Sequence, residues 1–171
     1  MKKIFFLGMV SLLLTTTVFA SDYVLPYPSY MPGNKLYKVS RLIDKLQNYW
    51  YWGNIAQEQY HLGLADKYLV EAKTLFEYNQ YLLAADALNR SNQQFQLVRP
   101  YIVKAQKQGV DVKDILNIFS AAEEKHEEVL NILEKEVPET FVWTPEKDKP
   151  TNLPLHQLLE QAVVIRKNEI N

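Results

Sequence analysis

Between Pro32 and Pro100, and again between Pro100 and Pro138, the chain contains no proline. Proline lacks a backbone donor and clashes with the preceding turn, so helices extend where it is missing. Inside these runs apolar residues recur at steps of three and four, the period of one helix face. The first stripe is Leu36, Val39, Ile43, Leu46 and Trp50. It predicts a helix starting after an Asn34 cap and ending near Trp52, with Gly53 just past the end. A second helix starts after Asn54, with Gln57 three residues on as in a capping box. Its seam is Ile55, Leu62, Ala65, Leu69, Ala72 and Phe76, with Glu58 in one seam position. The chain turns near Asn79, and a third helix carries Tyr81, Ala84, Leu88, Ser91, Phe95, Val98, Ile102 and Ala105. Pro100 lies within that run and predicts a kink or an early end, and Gly109 closes it.

A fourth helix has an Asp111 cap, Asp114 in its first turn, and Val110 facing Ile115 as a hydrophobic staple. Its seam, Val112, Ile115, Phe119, Ala122, His126, Val129 and Leu133, must finish before Pro138. Residues 137–152 hold Pro138, Pro145 and Pro150 and read as a loop, with Phe141-Val142-Trp143 pressed on the bundle. A last helix, within residues 153–171, turns Leu155, Leu158, Leu159, Ala162 and Ile165 inward and places Arg166 and Lys167 at its negative C-terminal end. Short connectors between regular amphipathic helices mean antiparallel neighbours. The fold class is therefore all-α: an up-and-down bundle of about four helices over residues 35–136, with the C-terminal helix packed on it.

The N-terminus is of a different kind. Lys2 and Lys3, the uncharged stretch from Ile4 to Val18, and Val18-Phe19-Ala20 before Ser21 have the form of an export signal over residues 1–20, cleaved after Ala20 or, as the alternative, retained as an N-terminal anchor. Pro26, Pro28 and Pro32 then favour an extended Pro/Tyr-rich strip over residues 21–34. Its Tyr23, Leu25, Tyr27, Tyr30 and Met31 are apolar enough to lie against the bundle. The formal charge of −1 argues against nucleic-acid binding, and the absence of cysteine excludes disulfides, thiolate nucleophiles and Cys-based zinc sites. No further segment is apolar enough to span a bilayer.

The run Leu25-Pro-Tyr-Pro-Ser-Tyr-Met-Pro-Gly-Asn-Lys-Leu-Tyr37, with Leu64-Ala-Asp-Lys-Tyr-Leu-Val-Glu-Ala72 after it, resembles an uncharacterised bacterial family of secreted helical proteins, a domain of unknown function. The likeness extends over about residues 24–100. It departs at Ser29, where glycine is usual, and at Tyr68, where arginine is usual. The resemblance implies export and a helical fold, and it implies no activity or catalytic residue.

Four features bear on function. Glu58-Gln-Tyr-His61 and Glu123-Glu-Lys-His126 are two Glu-x-x-His pairs on different helices, as in di-metal carboxylate bundles. Such sites need two further carboxylates, and the other helices offer little beyond Asp44 and Asp86, so the plainer reading is a core His126 and a rim His61. Tyr49-Trp50-Tyr51-Trp52 is an aromatic run at a bundle end, either covered by the strip or the Phe141–Trp143 loop, or open as a stacking platform. Lys35, Lys38, Arg41 and Lys45 form a basic row, either a solvated face or a contact for an anionic polymer or headgroup. The fourth feature, Tyr60 to Gln94, reads as one helical hairpin without the repeats a solenoid requires. Gly-x-Ser-x-Gly, Walker, His-Glu-x-x-His and Gly-x-Gly-x-x-Gly patterns are all absent.

These observations point to a non-enzymatic exported module, in the cell envelope or outside it, with no cofactor. Its partner would be a protein or an anionic envelope polymer, met through Tyr49, Tyr51, Trp52, Lys38 and Arg41. The alternative is a metal-binding bundle using Glu58, His61, Glu123 and His126.

Overall fold

α2 (Asn54–Glu77) and α3 (Tyr81–Lys107) form the central hairpin, and the seam expected of each is the face it buries. The turn between them follows from local backbone chemistry. Asn79 adopts φ 57°, and its N–H donates to the Phe76 carbonyl while Gln80 N–H donates to that of Leu75. This satisfies two carbonyls left over at the helix end. The end of α3 repeats the device with Gly109 at φ 82°, Gly109 N–H reaching the Gln106 carbonyl and Val110 N–H that of Ala105.

This computed structural model describes residues 23–147 and 149–168; the export signal assigned to residues 1–20 lies outside them. α4 (Lys113–Glu136) and α5 (Leu155–Asn168) form a second antiparallel pair, since His156 at the start of α5 meets Val137 and Glu139 while Arg166 near its end meets His126. The bundle is thus α2 to α5, running up-down-up-down. The fold is all-α apart from a small antiparallel pair, β1 (Phe141–Trp143) with β2 (Thr151–Leu153), inside the expected loop. Of that loop's aromatic run only Phe141 packs on the core, and Val142 and Trp143 face outward.

The core has two apolar lobes with a polar layer between them. One lobe gathers Leu69, Phe76, Leu88, Leu130, Leu133 and Leu159. The other gathers Leu62, Phe95, Ile102 and Phe119. Asp66, Ser91, His126 and Arg166, one from each helix, lie between them and are all buried.

Several expectations are corrected. α1 spans Tyr37–Gln47, so Leu36 precedes it, Trp50 follows it, and the aromatic run lies beyond its end. Asn34 bonds the Leu36 N–H at 2.8 Å, an Asx turn ahead of the helix instead of a cap on it. Gly53, at φ 90°, caps the start of α2 instead of closing α1, and Gln57 donates to the carbonyls of Asn48 and Tyr51. α4 starts two residues after Asp111, whose carboxylate accepts the Lys113 N–H at 3.0 Å. α3 passes through Pro100 without ending, because the turn that loses a hydrogen bond there lies on an exposed face with Gln96 and Pro100. Of the N-terminal strip, Tyr23, Leu25 and Met31 pack on the two lobes, whereas Tyr27 and Tyr30 face solvent. Arg166 enters the polar layer instead of sitting at the solvated end of α5.

The largest correction concerns α1. Its apolar stripe faces solvent: Leu36, Val39, Ile43 and Leu46 are each 44–50% exposed, and Leu42 is 57% exposed. α5 takes the bundle position that α1 was expected to hold.

Candidate functional site

α1 is attached to the bundle by its polar side. Asp44, buried, receives both 2.7 Å bonds of the Lys67 ammonium, which also donates to Ser40 Oγ at 3.1 Å. Tyr60 OH donates to the Asp44 carbonyl at 2.6 Å and Tyr68 OH to its carboxylate at 3.2 Å. One turn away, Tyr37 OH donates to Glu71 Oε1 at 2.8 Å, and Arg90 donates to the same carboxylate oxygen at 2.7 Å. The Arg41 guanidinium lies over the Tyr68 ring, 4.7 Å from its centroid. Burial and the neighbouring Glu71 carboxylate push the Tyr37 hydroxyl up to about 12, and burial with the Asp44 charge pushes Tyr68 upward, so both stay protonated donors.

A helix anchored in this way presents its opposite face. At 100° per residue, Val39, Leu42 and Leu46 centre the outward side and Ile43 borders it, while Lys38 and Lys45 follow along one edge. The aromatic run continues this surface: Tyr49 is 77%, Trp50 73% and Trp52 83% exposed. Neither the strip nor the β1–β2 hairpin covers it. Two of the residues assigned to this surface from sequence turn partly inward. The Tyr51 ring meets that of Tyr60 at a tilt, their centroids 5.2 Å apart, and Arg41 is occupied by Tyr68. Tyr49, Trp52 and Lys38 stand open, and Trp50, which the stripe placed in the core, joins them.

The two Glu-x-x-His pairs are separated by their partners. His61 Nδ1 pairs with Gln94 at 2.8 Å and its ring stacks on Tyr101 of α3. His126 instead lies in the polar layer, with Nε2 2.7 Å from Asp66 Oδ1. Among the described residues no group of three or more His, Asp or Glu side chains is arranged to hold a metal ion.

The polar layer has its own logic. Arg166 Nε donates toward His126 Nδ1 at 3.4 Å, so Nε2 carries the imidazole proton and donates to Asp66. Burial holds His126 below its ordinary value, consistent with a neutral ring between a carboxylate and a guanidinium. Tyr23 OH from the N-terminal strip donates to Asp66 Oδ2 at 2.6 Å, and Arg166 also donates to Ser91 Oγ at 2.9 Å and to Asn92. Burial lowers Arg166 to about 9. Beside this layer is a pocket of about 200 Å³ lined by Tyr23, Glu58, Leu62, Asp66, Ile115 and Ile118. Burial raises the Glu58 carboxyl there to about 7.

Asp66 and Arg166 were not anticipated as partners of His126. A signal existed for both: Asp66 is four residues after the seam residue Leu62, and Arg166 four after Ala162, so each extends a seam with a charge.

Fold and surface together define a four-helix all-α bundle bearing a peripheral amphipathic helix on a polar seam. The family described as Domain of unknown function (DUF5667) matches residues 29–140, and the chain belongs to it. The match runs from the N-terminal strip to the end of α4, so α5 lies outside it. No curated protein and no solved structure matches the chain.

Proposed function

We propose that this protein is an exported, non-enzymatic helical module that works in the cell envelope or outside it through contacts with a macromolecular partner. The orientation of α1 carries the reading. A helix that turns its one carboxylate and its one tyrosine inward and its aliphatic residues outward spends apolar area on something beyond its own core. Tyr49, Trp50 and Trp52 enlarge that area with side chains that lose little entropy on contact. The export half of the reading rests on the sequence of residues 1–20, and the non-enzymatic half on polar groups that engage one another, Tyr23 and Asp66 at the pocket included.

Capture from envelope fractions tests it. Wild type retains a partner through this face, and Trp50→Ala/Trp52→Ala or Leu42→Glu/Leu46→Glu releases it while the thermal melt stays unchanged. Retention unaffected by both pairs of substitutions refutes α1 as the contact surface.

A further inference from the structure

The chemistry of the α1 face is that of an interfacial helix, and it selects among partners. Four aliphatic side chains, Val39, Leu42, Ile43 and Leu46, share an 11-residue helix about 16 Å long. Lys38 and Lys45 stand on one edge of that stripe two turns apart, with stems long enough to lie along an apolar boundary while their ammonium groups reach past it. The only acid on α1, Asp44, is turned inward onto Lys67, so the outward side of the helix carries positive charge alone. Tyr49, Trp50 and Trp52 follow directly, and tyrosine and tryptophan are the residues that settle at headgroup level. The Asp44–Lys67 and Tyr37–Glu71 contacts fix this face outward, because turning the helix over would take the Asp44 carboxylate from Lys67 and the Tyr37 hydroxyl from Glu71.

We propose that α1 and the Tyr49–Trp52 segment seat reversibly on an anionic lipid surface, with the aliphatic face entering the boundary between headgroups and acyl chains and Lys38 and Lys45 meeting the headgroups. This rests on the reading of α1 as the contact surface and names its partner. Charge favours lipid over a second copy of the chain. A symmetric copy would bring the same lysine edge with no acid of α1 to answer it. An amphipathic helix of this kind sinks only about 5–10 Å into a lipid interface, a depth that side chains of this length span. The overall charge of −1 makes the attraction local to this edge.

A chain beginning at Ser21 keeps every residue named in the two apolar lobes and removes the apolar stretch from Ile4 to Val18 from the measurement. Its co-sedimentation is measured with vesicles of equal parts phosphatidylglycerol and phosphatidylcholine, and with phosphatidylcholine alone. Binding to the anionic vesicles is expected, with a blue shift of tryptophan emission that Trp50→Phe/Trp52→Phe abolishes. Each of Lys38→Ala and Lys45→Ala weakens it about five-fold. Leu42→Glu/Leu46→Glu weakens it by a factor of about ten or more. These side chains are exposed, so an unchanged melt separates lost binding from lost folding. Equal binding to neutral vesicles, or full binding by the double glutamate variant, overturns the proposal. If wild type ignores both vesicles while Leu42→Glu/Leu46→Glu still releases an envelope protein, the lipid assignment falls and the contact-surface reading stands. A dimer in sedimentation that this variant dissolves overturns the lipid assignment in favour of a second copy. Indifference to the substitutions in every assay removes both readings.

Discussion

α1 and α4 are written in the same pattern and used in opposite ways. Each has a stripe at three–four spacing, apolar in α1 and interrupted in α4 by His126, yet α4 buries Phe119, Ala122, Val129 and Leu133 while α1 leaves Val39, Leu42, Ile43 and Leu46 in solvent. The difference lies in the polar faces. That of α4 is mostly glutamates and lysines left in water, apart from a buried Glu123. That of α1 carries Tyr37, Ser40 and Asp44, which find Glu71, Arg90, Lys67 and Tyr68 along α2 and α3. A stripe therefore reports that a helix is two-sided. Which side the rest of the chain covers depends on what the neighbouring helices offer.

The largest loss of stability is expected at the polar layer, where α4 meets its partners. Arg166→Ala leaves Ser91, Asn92 and His126 Nδ1 without their buried donor and Asp66 without the positive charge across the imidazole, and is expected to cost about 3–5 kcal/mol in denaturant unfolding. A smaller cost would show that water replaces the guanidinium. The two kinds of stripe are compared directly by truncating one leucine in each setting. Leu69→Ala, in the fully buried α2 seam, is expected to cost about 2–5 kcal/mol. Leu42→Ala stays within about 0.5 kcal/mol, as exposed substitutions do. Equal costs would mean that α1 buries its stripe after all.

Asp44→Ala removes the anchor of α1 and leaves its apolar stripe untouched. It leaves Lys67 without its carboxylate and is expected to cost about 1–3 kcal/mol. The signature is local: hydrogen exchange accelerates across α1 while the amides of α2 to α5 keep their protection. Uniform acceleration would make α1 part of the cooperative core.

The smallest effect expected is a pH dependence. Glu58, raised to about 7, holds its proton in the folded protein at pH values where the unfolded chain, at the ordinary 4.5, has released it. Its contribution is complete below pH 4.5 and is lost as pH rises through about 7. His126 works in the opposite sense. Held below 6.5, it favours folding above that pH, and the benefit fades as pH falls beneath it. Glu58→Gln should therefore gain about 1 kcal/mol over wild type above neutrality, screening at the pocket edge keeping the figure small, and it should retain the acid-side fall that His126 causes. A Glu58→Gln curve parallel to wild type from acid to neutral pH would place this carboxyl in water.

Proline placement and apolar periodicity were enough to determine the all-α class, the existence of all five helices, the seams of α2, α3 and α4, and the turns at Asn79 and Gly109. Each of these depends on residues within a few positions of one another, through backbone sterics, carbonyls left over at helix ends and one helix period. The direction in which α1 faces, the replacement of α1 by α5 in the bundle, and the meeting of Asp66, Ser91, His126 and Arg166 were decided only in three dimensions. Those outcomes depend on pairings between residues as far apart as Ser91 and Arg166, 75 positions along the chain. A helix period records where charge and apolar area lie on one cylinder. Whether a charge turns inward depends on a partner of opposite sign at the same height on another helix, and the packing of α2 to α5 supplies that height.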